Sequence, residues 1–135
     1  MQHPRELPPE EKTMETLRLM MSNEFIDNNP ELIQRLIAKM MEHPAPPQGQ
    51  MRQIQAGTDF DIYERLPEIK APTLVIHGEA DRSLPIENGR ILASRVPGAE
   101  LAIMEKMGHG FMWEAFDESN RIMLDFLKRH PAKKA

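Results

Sequence analysis

The chain has 135 residues, which is the size of one ordinary domain, and its formal net charge of −4 argues against a general binder of nucleic acid or another polyanion. The absence of cysteine excludes disulfides, thiolate metal sites and a cysteine nucleophile. Neither a signal peptide nor a run of about 20 apolar residues is present, so we expect a cytoplasmic protein.

The first half of the chain is predicted to be helical. Residues 1–11 are rich in proline and charge and are expected to form an irregular arm, followed by a helix over 12–22. A stiff proline-rich loop is predicted at 44–49. Two short helices then follow at 50–56 and 59–66.

The helix between these segments has the clearest signals. Asn29 is suited to the N-cap and Pro30 to the first helical position, and the helix is expected to end at His43. Its apolar residues lie in two adjacent rows, which together form a stripe that requires a partner. The rows are Leu32, Leu36 and Met40, and Ile33, Ile37 and Met41.

From Pro72 onward the pattern changes to that of an α/β fold. Thr73–Ile76 is a short apolar run rich in β-branched residues, which is typical of a buried parallel strand. A helix at 86–95, a second strand at 101–104 and a last helix at 116–129 follow, and residues 131–135 are expected to fray. The strand–helix–strand unit predicts two parallel strands. We expect Ile91, Leu92, Val96, Phe116, Met123, Phe126 and Leu127 to face inward.

An acid and a histidine follow the two predicted strands. Asp81 comes just after the first, and His109, between two glycines, just after the second. Active groups of open α/β sheets gather at the carboxyl ends of strands, where an aspartate can orient a histidine. The simpler alternative is that Asp81 caps its own loop and His109 has no task. A metal site formed by His77, Glu79, Asp81 and His109 is a third interpretation, and a weaker one.

These stretches, PTLVIHGEADRSLP and PGAELAIMEKMGHGF, resemble the C-terminal part of α/β-hydrolases. The resemblance implies that Asp81 is the acid and His109 the histidine of a catalytic triad, in the family's chain order, with no metal and no cofactor. Met107 stands where that family commonly has a small residue. The segment DFDIYERLPEIKAP resembles the connection from the family's lid to the acid-bearing strand. Residues 12–66 would then be a helical lid and residues 67–130 the C-terminal part of the core.

The nucleophile of such a triad is not found. It would lie in a G-x-S-x-G turn before the acid, and no serine of this chain has that context. The serines are Ser22, Ser83, Ser94 and Ser119. Nothing between residues 1 and 66 is predicted to be a strand. We therefore expect the C-terminal part of a serine-type hydrolase for esters or related carbonyl substrates, inactive by itself.

The fold class expected is thus a partial α/β-hydrolase fold, in which a helical lid segment precedes a β-α-β-α unit. The edge of the strand at 73–76 would be left apolar and unpaired, and we expect an N-terminal partner chain or a second copy to cover it. The alternative function is a non-catalytic module that oligomerises or binds a protein through this edge.

Overall fold

The computed structural model describes residues 7–44 and 46–131, which form two compact units. Of the described residues, 7–18 and 23–61 belong to the first unit, and 19–22 and 62–131 belong to the second. Within these described ranges, no helix is both long and apolar enough to cross a membrane. The expected frayed tail, apart from Pro131, lies outside the described residues, as does most of the N-terminal arm.

The helices of the first half differ from the prediction mainly in length. They are α1 (Pro9–Met20), α2 (Asn23–Asn28), α3 (Pro30–Glu42) and α4 (Pro47–Asp59). Residues 9–11 are helical and not irregular, because Pro9 suits the first helical position and two glutamates favour the first turn. Likewise α4 begins at Pro47 and continues through Gly57, which does not end it. The short helix α2 was not predicted.

The prediction for α3 holds for its bounds and fails for its cap. The side chain of Asn29 makes no capping hydrogen bond, because its Nδ2 donates instead to the carbonyl of Phe25 at 2.8 Å. Only one of the two apolar rows is well covered, since Ile33 and Ile37 are buried. Leu32, Met40 and Met41 are exposed.

The second unit contains the predicted parallel pair of strands. A 3-10 helix (Tyr63–Glu68) precedes β1 (Leu74–Gly78), and α5 (Ile86–Arg95) connects β1 to β2 (Glu100–Met104). The register runs in parallel from Leu74 opposite Glu100 to Gly78 opposite Met104. Two further helices follow, α6 (Phe111–Glu114) and α7 (Phe116–Arg129). The β-α-β-α order is therefore confirmed, and the carboxyl ends of both strands lie at the same edge of the sheet.

The buried faces of α5 and α7 are narrower than predicted. In α5 the buried residue is Gly89, and Val96, which directly follows the helix, is buried as expected. The expectation that Ile91 and Leu92 face inward is wrong, because both are exposed, although Leu92 lies on the same side of the helix as Gly89. In α7 the buried face is centred on Ser119 and Phe126. The expectation that Phe116 and Leu127 are buried is wrong, because both are more than half exposed.

Gly78, at the end of β1, determines how closely the two strand-end loops approach. A Cβ atom at this position would collide with the main-chain oxygen of Gly108 and would lie 2.5 Å from that of Met107. Backbone atoms cannot move aside as a flexible side chain can. The missing side chain of Gly78 is therefore a requirement for bringing the loop after β2 next to the loop after β1.

We expect Gly78→Ala to lower the free energy of unfolding by about 3 kcal/mol or more, because it overpacks a contact between main chains. Urea denaturation followed by circular dichroism measures the change. The control is Gly57→Ala, where a Cβ in the interior of α4 meets no atom within 4 Å. That variant should gain about 0.5–1 kcal/mol from helix propensity. A Gly78→Ala protein as stable as the parent would contradict this account of the loop contact.

Candidate active site

The carboxylate of Asp81 is held by its own loop. Its Oδ1 accepts hydrogen bonds from the N–H groups of Ser83 at 2.7 Å and Leu84 at 2.9 Å. The side chain is 4% exposed. The loop itself is joined to the loop after β2, because the N–H of Ala80 donates to the carbonyl of Met107 at 2.8 Å. Asp81 therefore caps its own loop, as the simpler alternative expects, but it does so with Oδ1 alone.

The other oxygen contacts the predicted histidine. Nδ1 of His109 lies 2.8 Å from Oδ2 of Asp81. A carboxylate can only accept, so Nδ1 carries the proton and the lone pair of the neutral ring is on Nε2. The His109 side chain is 39% exposed, so the ring remains accessible from one side. The structure brings together the two residues that the sequence singled out, in the geometry by which an acid orients a general base.

The ionised form of Asp81 is favoured in spite of its burial. Burial alone would raise the pKa of this carboxyl group. The hydrogen bonds from the Leu84 N–H, from His109 and from the Ser83 N–H outweigh burial, and the pKa of Asp81 lies below its ordinary value. A negative charge fixed beside His109 stabilises the imidazolium that forms when the ring takes up a proton.

A second histidine adjoins the same carboxylate. His77, on β1, is buried, and its Nε2 lies 3.1 Å from the carbonyl oxygen of Leu84 and 3.5 Å from Oδ2 of Asp81. Both neighbours are acceptors, so Nε2 carries the proton. Gly89 makes room for the ring, since a Cβ there would lie 2.9 Å from Nδ1 of His77. His77 therefore contacts both the carboxylate of Asp81 and the carbonyl of Leu84, and the sequence did not predict these contacts.

The loop that carries His109 is fastened to a distant part of the chain within the same unit. The N–H of Gly110 donates to the carbonyl of Met20 at 2.6 Å. Glu114 accepts from the N–H of Gly108 at 2.8 Å and from the N–H of Ser22 at 3.0 Å. On the acid side, Arg82 donates to the carbonyl of Met21 at 2.7 Å. We call Met20–Ser22 the strap. Its contacts were not predicted, because Ser22 and Glu114 are 92 positions apart.

The metal-site interpretation gains no support from the geometry. Across residues 7–44 and 46–131, no group of three or more histidine or acidic side chains is arranged to hold a metal ion. The Oε2 of Glu79 is occupied by a hydrogen bond from the N–H of Lys106 at 3.0 Å. The local chemistry is that of a hydrogen-bonded acid and base.

A family model described as serine aminopeptidase, S33, matches residues 9–115. Among curated proteins, the 2-hydroxy-6-oxo-6-phenylhexa-2,4-dienoate hydrolase of Burkholderia cepacia is 34% identical over 122 residues. The 2-hydroxy-6-oxononadienedioate/2-hydroxy-6-oxononatrienedioate hydrolase 1 of Pseudomonas putida is 32% identical over 123 residues. Each match covers 87% of this chain and 43% of the relative, so the chain spans less than half the length of these proteins.

Solved structures show the same fold at lower identity. The enol-lactonase of Burkholderia xenovorans LB400 has a TM-score of 0.78 and 24% identity, with 87% of this chain and 44% of that chain covered. A thermophilic esterase from Thermogutta terrifontis has a TM-score of 0.77 and 22% identity, with 92% and 45% covered. The expected partial fold is thus confirmed at the level of architecture.

The lowered pKa of Asp81 leads to a prediction about acid stability. Because the pKa is lower in the folded than in the unfolded chain, ionised Asp81 stabilises the fold above its ordinary pKa, and this contribution is lost as the pH falls through the folded value. Between about pH 4 and pH 2, Asp81→Asn should therefore show a flatter fall in unfolding free energy than the parent.

The measurement is a series of urea denaturation curves across this pH range. The control is Asp125→Asn, which removes a carboxylate that is 59% exposed and should leave the slope unchanged. Parallel curves for Asp81→Asn and the parent would show that folding does not depress the pKa of Asp81.

Proposed function

The chain belongs to the S33 group of α/β-hydrolases, and from this premise we propose that it supplies the acid and histidine of a serine-type hydrolase for esters or related carbonyl compounds. The observation that carries the proposal is the 2.8 Å hydrogen bond between Nδ1 of His109 and Oδ2 of Asp81. The two residues follow neighbouring parallel strands, in the order acid then histidine, which is the chain order of this fold's catalytic triads.

In the proposed mechanism, Nε2 of His109 takes the proton of a serine hydroxyl while that oxygen attacks the substrate carbonyl carbon. His109 then gives the proton to the leaving group, and Asp81 holds the ring and its transient positive charge. A water molecule, activated by the same nitrogen, releases the acyl group. Every proton transfer passes through the nitrogen that the hydrogen bond to Asp81 leaves free.

We assign the nucleophile to a polypeptide segment outside these 135 residues. The chain contains no G-x-S-x-G sequence, and it covers 43% of the relatives' length. The hydroxyls of Ser94 and Ser119 are engaged within their helices, where they donate to the carbonyls of Ile91 and Phe116. This chain alone is therefore proposed to be inactive, and the helical segment 12–66 is proposed to be the lid over the completed site.

We propose the substrate class from the activities for which the relatives are named. The curated relatives are named as hydrolases of 2-hydroxy-6-oxo-dienoates, and the structural neighbours include an enol-lactonase and an esterase. A carbonyl carbon open to attack is common to these substrates. We therefore take short esters as the general probe and a 2-hydroxy-6-oxo-dienoate as the first specific candidate.

We expect this chain to hydrolyse p-nitrophenyl esters no faster than buffer. Addition of a polypeptide that carries the nucleophile strand and the preceding part of the fold should restore turnover. In that complex His109→Ala should abolish activity, and Asp81→Asn should lower kcat by about 10⁴-fold because the ring loses its orientation. Restored activity that survives His109→Ala would contradict the assignment of the base.

A second part of the proposal concerns the edge of β1. The N–H of Glu100 donates to the carbonyl of Thr73, and the N–H of Glu79 donates to the carbonyl of Met104, both at 3.0 Å. Because hydrogen-bonding directions alternate along a strand, the main-chain groups of Leu74 and Ile76 point away from β2. In the described part of the chain the sheet has only these two strands. A partner strand is proposed to dock here, from an N-terminal chain or from a second copy.

Amide hydrogen exchange measured by NMR tests this docking. In the isolated chain, the amide of Val75, which faces β2, should be protected, and that of Ile76 should exchange rapidly. Binding of the partner polypeptide should slow exchange at Ile76 by about 10-fold or more while leaving Val75 little changed. If a second copy is the partner, protection at Ile76 should instead rise with protein concentration. Restored activity without added protection at Ile76 would place the partner elsewhere.

The alternative function is a non-catalytic module that uses the same edge to oligomerise. The exposed apolar residues of α3 (Leu32, Met40 and Met41) favour it, because they offer a further apolar surface. A discrete dimer that stays inert toward esters in the presence of the nucleophile-bearing polypeptide would support this alternative and exclude the hydrolase proposal.

A further inference from the structure

We propose that Glu114 is a positioning residue for His109, and this rests on the proposed function in that His109 is taken as the catalytic base. Glu114 ends α6 and is half-buried. It acts on the base through the main chain of the neighbouring residue, Gly108, and connects that residue to the strap at Met20–Ser22.

The carboxylate of Glu114 is a bridge between two main-chain donors. Oε1 accepts from the N–H of Gly108 at 2.8 Å, and Oε2 accepts from the N–H of Ser22 at 3.0 Å. Hydrogen bonds to an ionised acceptor are roughly twice as strong as those between neutral groups. Both hydrogen bonds are partly buried, so the bridge constrains the loop on one side and the strap on the other.

The loop depends on hydrogen bonds to other segments, because its own backbone can adopt many conformations. His109 is flanked by Gly108 and Gly110, and glycine has little conformational preference of its own. The strap lies directly against this loop, since a Cβ at Gly108 would approach the carbonyl oxygen of Met20 to 2.7 Å. The N–H of Gly110 also donates to that oxygen. The glycines allow close approach, and the bridge with the strap then selects one loop conformation.

This arrangement defines what Glu114 does for the base. The Nδ1–Oδ2 contact of 2.8 Å requires the ring of His109 to be placed to within a fraction of an ångström. The carboxylate of Asp81 is held by the amides of Ser83 and Leu84, so the distance between the two side chains depends mainly on where the His109 ring lies. Holding Gly108 in place fixes the start of the His109 backbone. A purely structural glutamate would affect stability alone, whereas a positioning residue also affects the tautomer of His109.

The test is ¹⁵N NMR of histidine-labelled chain, in which the ring nitrogen shifts report the tautomer. The parent should show His109 protonated at Nδ1. In Glu114→Gln the side chain presents one N–H₂ group to a main-chain N–H, so one arm of the bridge is lost. The His109 signals should move toward a mixture of tautomers, while those of His77, which is held by Leu84 and Asp81, stay unchanged and show that the site has folded.

Two further variants keep the result interpretable. Glu118→Gln removes an exposed glutamate on α7 and should leave the His109 signals unchanged. Glu114→Asp keeps the charge but is too short to reach both donors, so it should shift the tautomer as Glu114→Gln does. If the glutamine variant fails to fold, the aspartate variant decides. His109 signals identical to the parent in a folded Glu114 variant would overturn the proposal.

Activity provides a second and separate readout. In the complex with the nucleophile-bearing polypeptide, Glu114→Gln should lower kcat by about 10- to 100-fold with KM little changed, because a misplaced base affects the chemical step. If the parent complex is inactive, the proposed function fails, yet the tautomer experiment on the chain still tests the role of Glu114. An active complex with an unaffected kcat in Glu114→Gln would refute this role alone.

Discussion

The hydrogen bond between Asp81 and His109 is the interaction on which the account of this protein depends. It joins the loops that follow two parallel strands, and it fixes which nitrogen of the histidine can accept a proton. Several other features serve to bring these two groups together. Gly78 allows the loops to touch, the Ser83 and Leu84 amides hold the carboxylate ionised, and His77 adjoins it from the buried side.

The two residues of the pair are held in different ways. The carboxylate of Asp81 is held directly by amides of its own loop, although that loop also bonds to Met107 and, through Arg82, to the strap. His109 lies in a glycine-flanked loop whose conformation depends on the strap, which is distant in sequence, and on Glu114, which links the loop to the strap. The placement of His109 therefore depends on long-range contacts, so a change far along the chain can alter the orientation of its ring.

The sequence predicted the strands, α3, α5 and α7 well, because each has a local signal such as a β-branched run, a proline at the first helical position or a regular apolar period. It also identified Asp81 and His109 from their places after the strands.

The sequence failed where the structure depends on contacts between distant residues. It gave His77 only a place in the metal-site interpretation, and it did not single out Glu114, because one of the two donors to Glu114, the N–H of Ser22, is 92 positions away. Burial of Ile91, Leu92, Phe116 and Leu127 was overestimated, since apolar character alone does not say which face a neighbour covers.

The central claim is that Asp81 holds His109 as a neutral base protonated at Nδ1. The most direct test is ¹⁵N NMR of the imidazole nitrogens of His109 in the chain and in Asp81→Asn. The account predicts that the neutral ring of the parent is protonated at Nδ1 alone, and that its tautomer shifts toward the Nε2-protonated form when the amide replaces the carboxylate. The same tautomer mixture in both proteins would contradict it.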